Sequence, residues 1–354
     1  MTGSLVLLWG LSTEGPLAAV REELVRRGVP VLMVDQHHVL DTEVRLRVGH
    51  ELEGAIRIRD RWVDLGTVSA VYLRPYESRR VPAVAREGPD SAAWRHALAV
   101  DYVMASWSEV VPALVVNRLQ AMAANGSKPY QLEQLRKLGF SVPETLVTTD
   151  PDAARDFWER CGTVIYKSVS GTRSIVSRLH PEQAERLADV SFCPTQFQRY
   201  VPGTDHRVHV VGDEVFASEV VSEADDYRYP EGHEVEVRAC HLPQSLEDRC
   251  RLASAALKLP VAGIDLRRTP EGEWYCFEVN PSPAFTYYES ETGQPIGNAI
   301  ARLLMAGSQG APELPETNEA NKEEQLSRNR DEETISSPLR PGVDGPTTTQ
   351  VRLL

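Results

Sequence analysis

The first part of the chain alternates apolar runs with an amphipathic stretch, in an order that predicts strand, helix and strand. The runs "SLVLLWG" and "VPVLMVD" are almost continuously apolar, which is typical of strands buried on both faces. Between them, "GPLAAVREELVRRG" has apolar residues at helical spacing, with Pro16 in its first turn and Gly28 just past its end. We therefore expect a parallel βαβ unit at the start of an N-terminal α/β domain, residues 1–112.

The next part of the chain begins with helices and then changes to strands of period two. Of the two predicted helices, one ends at Gly139 and the other is capped by Asp150. The segments "TVIYKSVS", "TQFQRYV" and "HRVHVVGDEVFASEVV" follow, and their alternation between turn residues predicts antiparallel sheets. We divide this part into a central α+β subdomain, residues 113–202, and a C-terminal subdomain, residues 203–307. Residues 308–354 are polar and charged without a sustained period, which predicts a disordered tail.

One predicted hairpin, "GIDLRRTPEGEWYCFEVNPSPAF", carries three oxygen-bearing side chains. Strand alternation places Glu278 and Asn280 on one face, and a turn at "PEGE" places Asp265 opposite Glu278. The positions predicted to point into a core are Tyr275, Phe277 and Val279. Paired carboxylates repel unless a cation lies between them, and these oxygen ligands suit Mg²⁺, which leaves coordination positions for phosphates. A solvated sheet face is the alternative interpretation.

Two lysines are candidates for binding phosphate. Lys167 lies in a predicted strand between Ile165 and Val169, so its ammonium group needs an anion or water at the end of its stem. The next segment, "SGTRS", combines a glycine, hydroxyls and a guanidinium between two strands, a chemistry suited to phosphate. Lys128 stands at a predicted helix start. For both lysines, the alternative is an ordinary contact with solvent.

The net charge limits the classes of binding partner, and the cysteines and the first apolar run indicate the cellular location. A formal net charge of −13 argues against general affinity for nucleic acid or an anionic membrane, because such binding requires a basic surface. The five cysteines form no CxxC pair, and Cys276 lies in an apolar strand pattern, where a buried thiol is expected. The first apolar run lacks a basic flank and is too short to span a bilayer. We expect a cytoplasmic protein with neither nucleic-acid nor membrane partners.

The order of these motifs resembles that of the ATP-grasp superfamily, specifically its RimK-type branch of carboxylate ligases. The motifs are Lys128, Lys167 on a strand, "TQFQRYVPG", "DHRVHVVGDEVFASEV", "GIDLRR" and "FEVNPSPAF", and they extend over roughly residues 113–307. The resemblance implies a two-lobed ATP-grasp fold behind a pre-ATP-grasp N-terminal lobe. It also implies ATP and Mg²⁺ as cofactors.

The resemblance assigns roles to individual residues. Those implied to contact the nucleotide are Lys128, Lys167, Ser170, Gly171, Thr172, Arg173, Gln198, Arg199, Tyr200, Val201 and Asp205. Arg199 stands where relatives commonly carry an acid, so the hinge is expected to meet adenine through its backbone. The implied metal ligands are Asp265, Glu278 and Asn280. Arg207 and Lys167 are the implied catalytic cations, which neutralise the carboxylate and the phosphoryl group as an acyl phosphate forms.

The substrates are implied only as a class, a small-molecule or peptide carboxylate and an amine or hydroxyl. Aromatic and basic side chains that suit such a substrate are Tyr227, Arg228, Tyr229, Arg238 and Arg74. A solvated loop, and a structural role for Arg74, are the alternatives. "DDYR", "DHR" and "YLRPYE" are also similar to motifs of ATP-grasp macrocyclases, which form ester or amide links in ribosomal peptides. Two other functions stay open, a kinase and a nucleotide binder without turnover. A homo-oligomeric assembly, which is common among relatives, also stays open.

Overall fold

The computed structural model describes residues 5–124, 126–169, 176–222 and 234–307. The strands in this part are β1 Leu5–Gly10, β2 Val31–Asp35, β3 Thr42–Val48, β4 Leu52–Ile58, β5 Arg61–Asp64, β6 Val68–Arg74, β7 Leu114–Val116, β8 Thr145–Thr148, β9 Val164–Ser168, β10 Ser177–Arg178, β11 Thr195–Arg199, β12 Thr204–Val211, β13 Glu214–Ser222, β14 Val235–Cys240, β15 Val261–Arg268 and β16 Trp274–Asn280. The α-helices are α1 Gly15–Arg26, α2 Pro82–Ala85, α3 Ala92–Val110, α4 Leu119–Ala124, α5 Lys128–Lys137, α6 Pro151–Cys161, α7 Gln244–Ala256, α8 Thr286–Thr292 and α9 Ile296–Gly307. Short 3₁₀ segments are Gln36–Asp41, Leu65–Thr67, Ser78–Arg80 and Pro181–Phe192. The predicted tail lies outside the described residues.

The N-terminal sheet is parallel, in the order β2-β1-β6-β7, and confirms the predicted βαβ opening. Helix α1 begins where Glu14 accepts a hydrogen bond from the Leu17 amide, and Gly28 follows its end with φ of 70°. The carboxyl ends of β1 and β6 are adjacent, and the chain leaves them in opposite directions across the sheet, which is where α/β sheets form ligand crevices.

A small antiparallel sheet, β3-β4-β5, follows β2 and was not among the predicted elements. Its inner face adds Ile56, Leu46 and Val63 to the core between the parallel sheet and α3. Its outer face is charged, and Arg45 lies over the ring of Trp62 there. The outer charges are paired locally, as in the ion pair of Arg57 with Glu43.

The central sheet is antiparallel, in the order β10-β9-β11-β8. Phe197 and Val164 pack on one face against α6 and the Pro181–Phe192 segment. By strand alternation, Lys167, Gln196 and Gln198 occupy the other face. Two faces of opposite character therefore separate a small apolar core from a polar surface.

The C-terminal sheet is antiparallel, in the order β14-β13-β12-β15-β16. The core face, which α5 and α7 cover, carries Val208, Ile264, Leu266, Cys276 and Val279, among others. We call the opposite face, which carries Asp205, Arg207, Asp265, Glu278 and Asn280, the carboxylate face.

The predicted pairing of Asp265 with Glu278 is confirmed, but the predicted core positions are partly wrong. The register shifts between Asp265 and Leu266, because Leu266 pairs with Cys276 and leaves Phe277 as an extra residue. This bulge reverses the alternation on its turn side, so Cys276 and Val279 are in the core while Tyr275 and Phe277 are not. The thiol of Cys276 is fully buried, as predicted.

Another large core joins segments that are far apart in the chain. It contains Val6 and Leu8 of β1, Val211 of β12, and Ile300 and Leu304 of α9. The described residues all fall in one compact unit, and the domain boundaries at 112 and 202 stay predictions. Within the described ranges, no helix is long and apolar enough to cross a bilayer.

Candidate active site

Arg207, Asp265 and Asn280 meet on the carboxylate face. Arg207 Nη1 donates to Asp265 Oδ1 over 2.6 Å, and Asn280 Nδ2 donates to Asp265 Oδ2 over 3.2 Å. Glu278 is the direct cross-strand partner of Asp265, on the same face. Because β12, β15 and β16 are adjacent, strand pairing alone brings these four side chains together.

The donor set fits a magnesium ion that also binds phosphate. Both oxygens of Asp265 accept hydrogen bonds yet retain lone pairs, and Asn280 uses its amide nitrogen toward Asp265, which leaves its oxygen available. In the part of the chain that is described, no group of three or more His, Cys, Asp or Glu side chains is placed to hold a metal. Two carboxylates and an amide oxygen are therefore a partial set, the kind that Mg²⁺ completes with phosphates and water.

The guanidinium of Arg207 is buried and closely packed. Its side chain is 8% exposed, against 29% for Asp265. A Cβ added to Gly263 would lie 2.2 Å from Arg207 Nη2, so only glycine leaves space for this guanidinium on β15. The carbon centre of the guanidinium lies 5.8 Å from the ring centroid of Tyr288 on α8.

Asp205 and the predicted hinge are joined by Arg267. Arg267 donates to both oxygens of Asp205, over 2.7 and 2.8 Å, and to the Val201 carbonyl over 2.9 Å. Its guanidinium also lies 5.9 Å from the ring centroid of Tyr200, which Arg178 covers at 4.3 Å. Arg267 thus links the end of β11 to the C-terminal sheet.

The polar face of the central sheet carries buried acceptors beside a lysine. Gln196 is the cross-strand neighbour of Lys167, which is 8% exposed. The side-chain oxygens of Gln196 and Gln198 are buried and have no hydrogen-bond partner among the described residues. The Thr145 hydroxyl donates to the Pro143 carbonyl and therefore accepts from Gln198 Nε2, which fixes the amide with its oxygen turned away from Thr145. Lys128 begins α5 and is 8% exposed, like Lys167. Arg199, at the end of β11, is exposed.

Two residues that the sequence analysis missed hold the last strand in place. Gln131 of α5 donates to the Val279 carbonyl over 2.7 Å and accepts from the Val279 amide over 2.8 Å, as a neighbouring strand would. Asn117 donates to the carbonyls of Val261 and Pro281 and accepts from the Val261 amide. Both side chains are polar and buried: Gln131 stands between Tyr130 and Leu132, and Asn117 directly follows the apolar run that ends at Val116. A polar residue in or next to such a run is the signal that the sequence offers.

The predicted substrate residues are placed differently from one another. Arg74 reaches the segment after β16, because its Nη1 donates to the Pro283 carbonyl over 3.1 Å. The rest of its guanidinium is paired with Glu14, at distances from 2.5 to 2.7 Å. Arg238 lies on the core side of the C-terminal sheet, beside Glu219 and paired with Glu236, and is not brought to Asp265. The remaining substrate candidates, Tyr227, Arg228 and Tyr229, lie outside the described residues. The same holds for the predicted nucleotide contacts Ser170, Gly171, Thr172 and Arg173.

A family model described as a RimK-like ATP-grasp domain matches residues 124–304, just over half of the chain. The chain belongs to the RimK-like ATP-grasp family, and the resemblance predicted from the motif order is confirmed. A "Probable alpha-L-glutamate ligase" of Cellvibrio japonicus (strain Ueda107) is 27% identical over 195 residues, 52% of this chain and 64% of that relative. The match thus spans less than two thirds of the relative's length.

Solved structures share the fold over most of the chain. The macrocyclase MdnC of Microcystis aeruginosa MRC, bound with precursor peptide MdnA, aligns with a TM-score of 0.74 and 22% identity, and the match covers 85% of this chain and 99% of that one. The ATP-grasp ligase PsnB, in complex with a phosphomimetic variant of its minimal precursor, Mg and ADP, aligns with a TM-score of 0.72 and 26% identity, over 87% and 99%. These similarities confirm the predicted combination of a parallel N-terminal sheet with antiparallel sheets of the ATP-grasp type.

Proposed function

We propose that the chain is an ATP- and Mg²⁺-dependent, ADP-forming ligase that activates a carboxylate as an acyl phosphate and joins it to an amine or hydroxyl of a peptide. One observation carries this proposal: Arg207, Asp265, Glu278 and Asn280 share one sheet face, with Asp265 bonded to both Arg207 and Asn280. Two carboxylates that could hold Mg²⁺, next to a guanidinium, place two positive charges side by side. Such an arrangement can bring a phosphate and a second anion together.

The nucleotide would extend between the two antiparallel sheets. Asp265, Glu278 and Asn280 would hold Mg²⁺, which neutralises charge on the transferred phosphoryl group when bound. Lys167 and Lys128 would contact phosphates, and the segment from Gln198 to Val201 would contact the base. The side-chain oxygens of Gln196 and Gln198 are buried and accept no hydrogen bond from the described residues, which supports a donor-bearing ligand on this face, because an unsatisfied buried acceptor is costly.

Arg207 would neutralise the substrate carboxylate. A carboxylate that attacks the γ-phosphorus is an anion approaching an anion, so a fixed cation on the attacking side lowers the barrier. The Arg207 guanidinium is buried and needs little rearrangement as charge develops. The amine or hydroxyl then attacks the acyl carbonyl and phosphate leaves, while exclusion of water protects the acyl phosphate from hydrolysis.

A peptide is the favoured substrate class. PsnB, whose structure contains a precursor, is 26% identical to this chain, and the match covers 87% of this chain and 99% of PsnB. Closure of a link within one peptide, as in a macrocyclase, is the narrower candidate within the same reaction class, and its support is the similarity of "DDYR", "DHR" and "YLRPYE" to macrocyclase motifs.

Mass spectrometry tests both levels of the proposal. The protein is incubated with Mg²⁺ and ATP and with amino acids, dipeptides or acidic peptides, while released phosphate is measured and Glu278→Gln protein serves as the blank. A product lighter by one water than its reactants, with stoichiometric phosphate, supports a ligase, and loss of water from a single peptide identifies cyclisation. A product heavier by a phosphoryl group, without free phosphate, would identify a kinase and overturn the proposal.

A further inference from the structure

His209 is a fully buried imidazole beside the candidate active site. It lies two residues after Arg207 on β12, on the carboxylate face, and is 0% exposed. Its Nε2 lies 3.5 Å from Arg207 Nε, which is the donor. Its ring contacts Tyr288 edge to face, with centroids 5.1 Å apart.

The hydrogen bonds around His209 determine its tautomer. Because Arg207 Nε is always a donor, Nε2 of His209 has to be the acceptor, and the ring proton is therefore on Nδ1. Nδ1 is buried without a hydrogen-bond partner in the described ranges. Burial, and then the charge of Arg207, lower the pKa of His209 well below its usual value, so the ring is neutral.

A buried polar ring with one unsatisfied N–H costs stability, and an apolar ring would fit the contact with Tyr288 without that cost. Within the described part of the chain, the one polar contact of the His209 side chain is with Arg207, whose other nitrogens face Asp265 and the backbone at Gly263. We propose that His209 is a positioning residue, which accepts a hydrogen bond from Arg207 Nε and so holds the guanidinium aimed at Asp265 and at the substrate carboxylate. This role rests on the proposed function, although the geometry it describes is independent of turnover.

Three variants separate positioning from packing. His209→Phe keeps the ring and its contact with Tyr288 but removes the acceptor. His209→Gln restores an acceptor near the position of Nε2. His206→Phe is the matched control, because His206 is on the same strand but on the opposite face, where it packs edge to face on Trp274 at 4.6 Å.

The first measurement is spectroscopic and requires no substrate. In the full chain labelled with ¹⁵N-arginine and ¹⁵N-histidine, the Arg207 Nε–H signal, assigned by its loss in Arg207→Lys, should be protected from exchange. The ¹⁵N shifts of His209 should be those of the Nδ1–H tautomer. The Nε–H protection should disappear in His209→Phe and persist in His209→Gln and His206→Phe. Unchanged protection in His209→Phe would overturn the proposal, whether or not the chain is a ligase.

The second measurement uses the substrate identified by the mass-spectrometric screen. We expect His209→Phe to lower kcat about tenfold, as for one lost hydrogen bond to a charged group, with the KM for ATP unchanged. His209→Gln should recover most of this loss, and His206→Phe should equal the wild type. Equal losses in all three variants would identify a packing effect and overturn the positioning role. A chain that turns over no substrate contradicts the proposed function, and the spectroscopic result then decides the role of His209 alone.

Discussion

At the scale of single residues, the site depends on side chains whose polarity is maintained against burial. Arg207 is almost enclosed, and its charge is balanced within the sheet by Asp265 at 2.6 Å. Removing one partner of such a pair leaves an uncompensated charge, which costs more than the pair contributes. Substitutions that preserve shape are therefore the informative ones.

We expect Glu278→Gln and Asn280→Ala each to lower Mg²⁺-dependent turnover about 100-fold or more, because the first replaces a proposed carboxylate ligand by a neutral amide and the second removes a proposed amide ligand. Far-UV circular dichroism should stay native, since both side chains are only partly buried. The matched control is Glu271→Gln, in the exposed turn of the same hairpin, which should keep full activity. Wild-type turnover in Glu278→Gln would remove this residue from the metal site.

The cysteines provide a test that is independent of function. Burial raises the pKa of the Cys250 thiol to about 12 and that of Cys276 well above its usual value, and both thiols are 0% exposed. Cys193 is exposed. A thiol reagent such as DTNB should modify Cys193 in the native protein and Cys276 only after unfolding, because the thiolate is the reactive form. Mass mapping identifies the labelled cysteines, with Cys193→Ser as the control. An early label on Cys276 would contradict its burial.

Much of the candidate site was predictable from the sequence, because strand alternation and a turn determine which side chains share a face. Asp265, Glu278 and Asn280 follow from the hairpin alone. The bulge at Phe277 was not predicted, since it depends on how two strands twist against each other. Asn117 and Gln131 were missed because their partners lie 144 residues or more away in sequence. His209 was missed because one position in an alternating strand does not reveal a buried polar contact.

At the scale of elements, the parallel sheet and the segment after β16 are joined by one arginine. Arg74 ends β6, pairs with Glu14 at the start of α1 and donates to the Pro283 carbonyl. Burial opposes its charge, but neighbouring Tyr72 and Glu14 leave the pKa of Arg74 raised. At the place where α/β sheets commonly bind ligands, Arg74 thus contacts the backbone that follows β16.

Arg74→Ala should lower the free energy of unfolding by about 2 kcal/mol, because it leaves the Pro283 carbonyl and the Glu14 carboxylate without their donor. Arg79→Ala is the matched control, an arginine of the following loop with its side chain 47% exposed, and should change stability by less than about 0.5 kcal/mol. Denaturant unfolding at neutral pH measures both. Equal stability of the two variants would show that Arg74 is not a structural link, and its role as a substrate contact would then be favoured.

At the scale of the whole molecule, one core joins both ends of the described chain. Helix α9 packs against β6, β12 and α1, so the last helix covers strands of the first and last predicted domains. The residues proposed for the active site, from Lys128 to Asn280, all precede position 308. A chain that ends at Gly307 should therefore bind Mg²⁺ and ADP with an affinity within about twofold of the full chain by calorimetry. A large loss of affinity would show that residues 308–354 contribute to the site.

The shared core also predicts how instability spreads. Ile300 of α9 is fully buried in the same cluster as Leu8 of β1 and Val211 of β12. Ile300→Ala should cost about 2 to 5 kcal/mol, and because one cluster serves both sheets the loss should reach both of them. In hydrogen exchange measured by mass spectrometry, peptides from β1 and β12 should lose protection together. The peptide from β9 serves as the internal control, because it packs in a separate cluster and should lose less. If β12 alone became less protected, residues 1–112 would be an independent folding unit and the predicted boundary at 112 would mark a true domain.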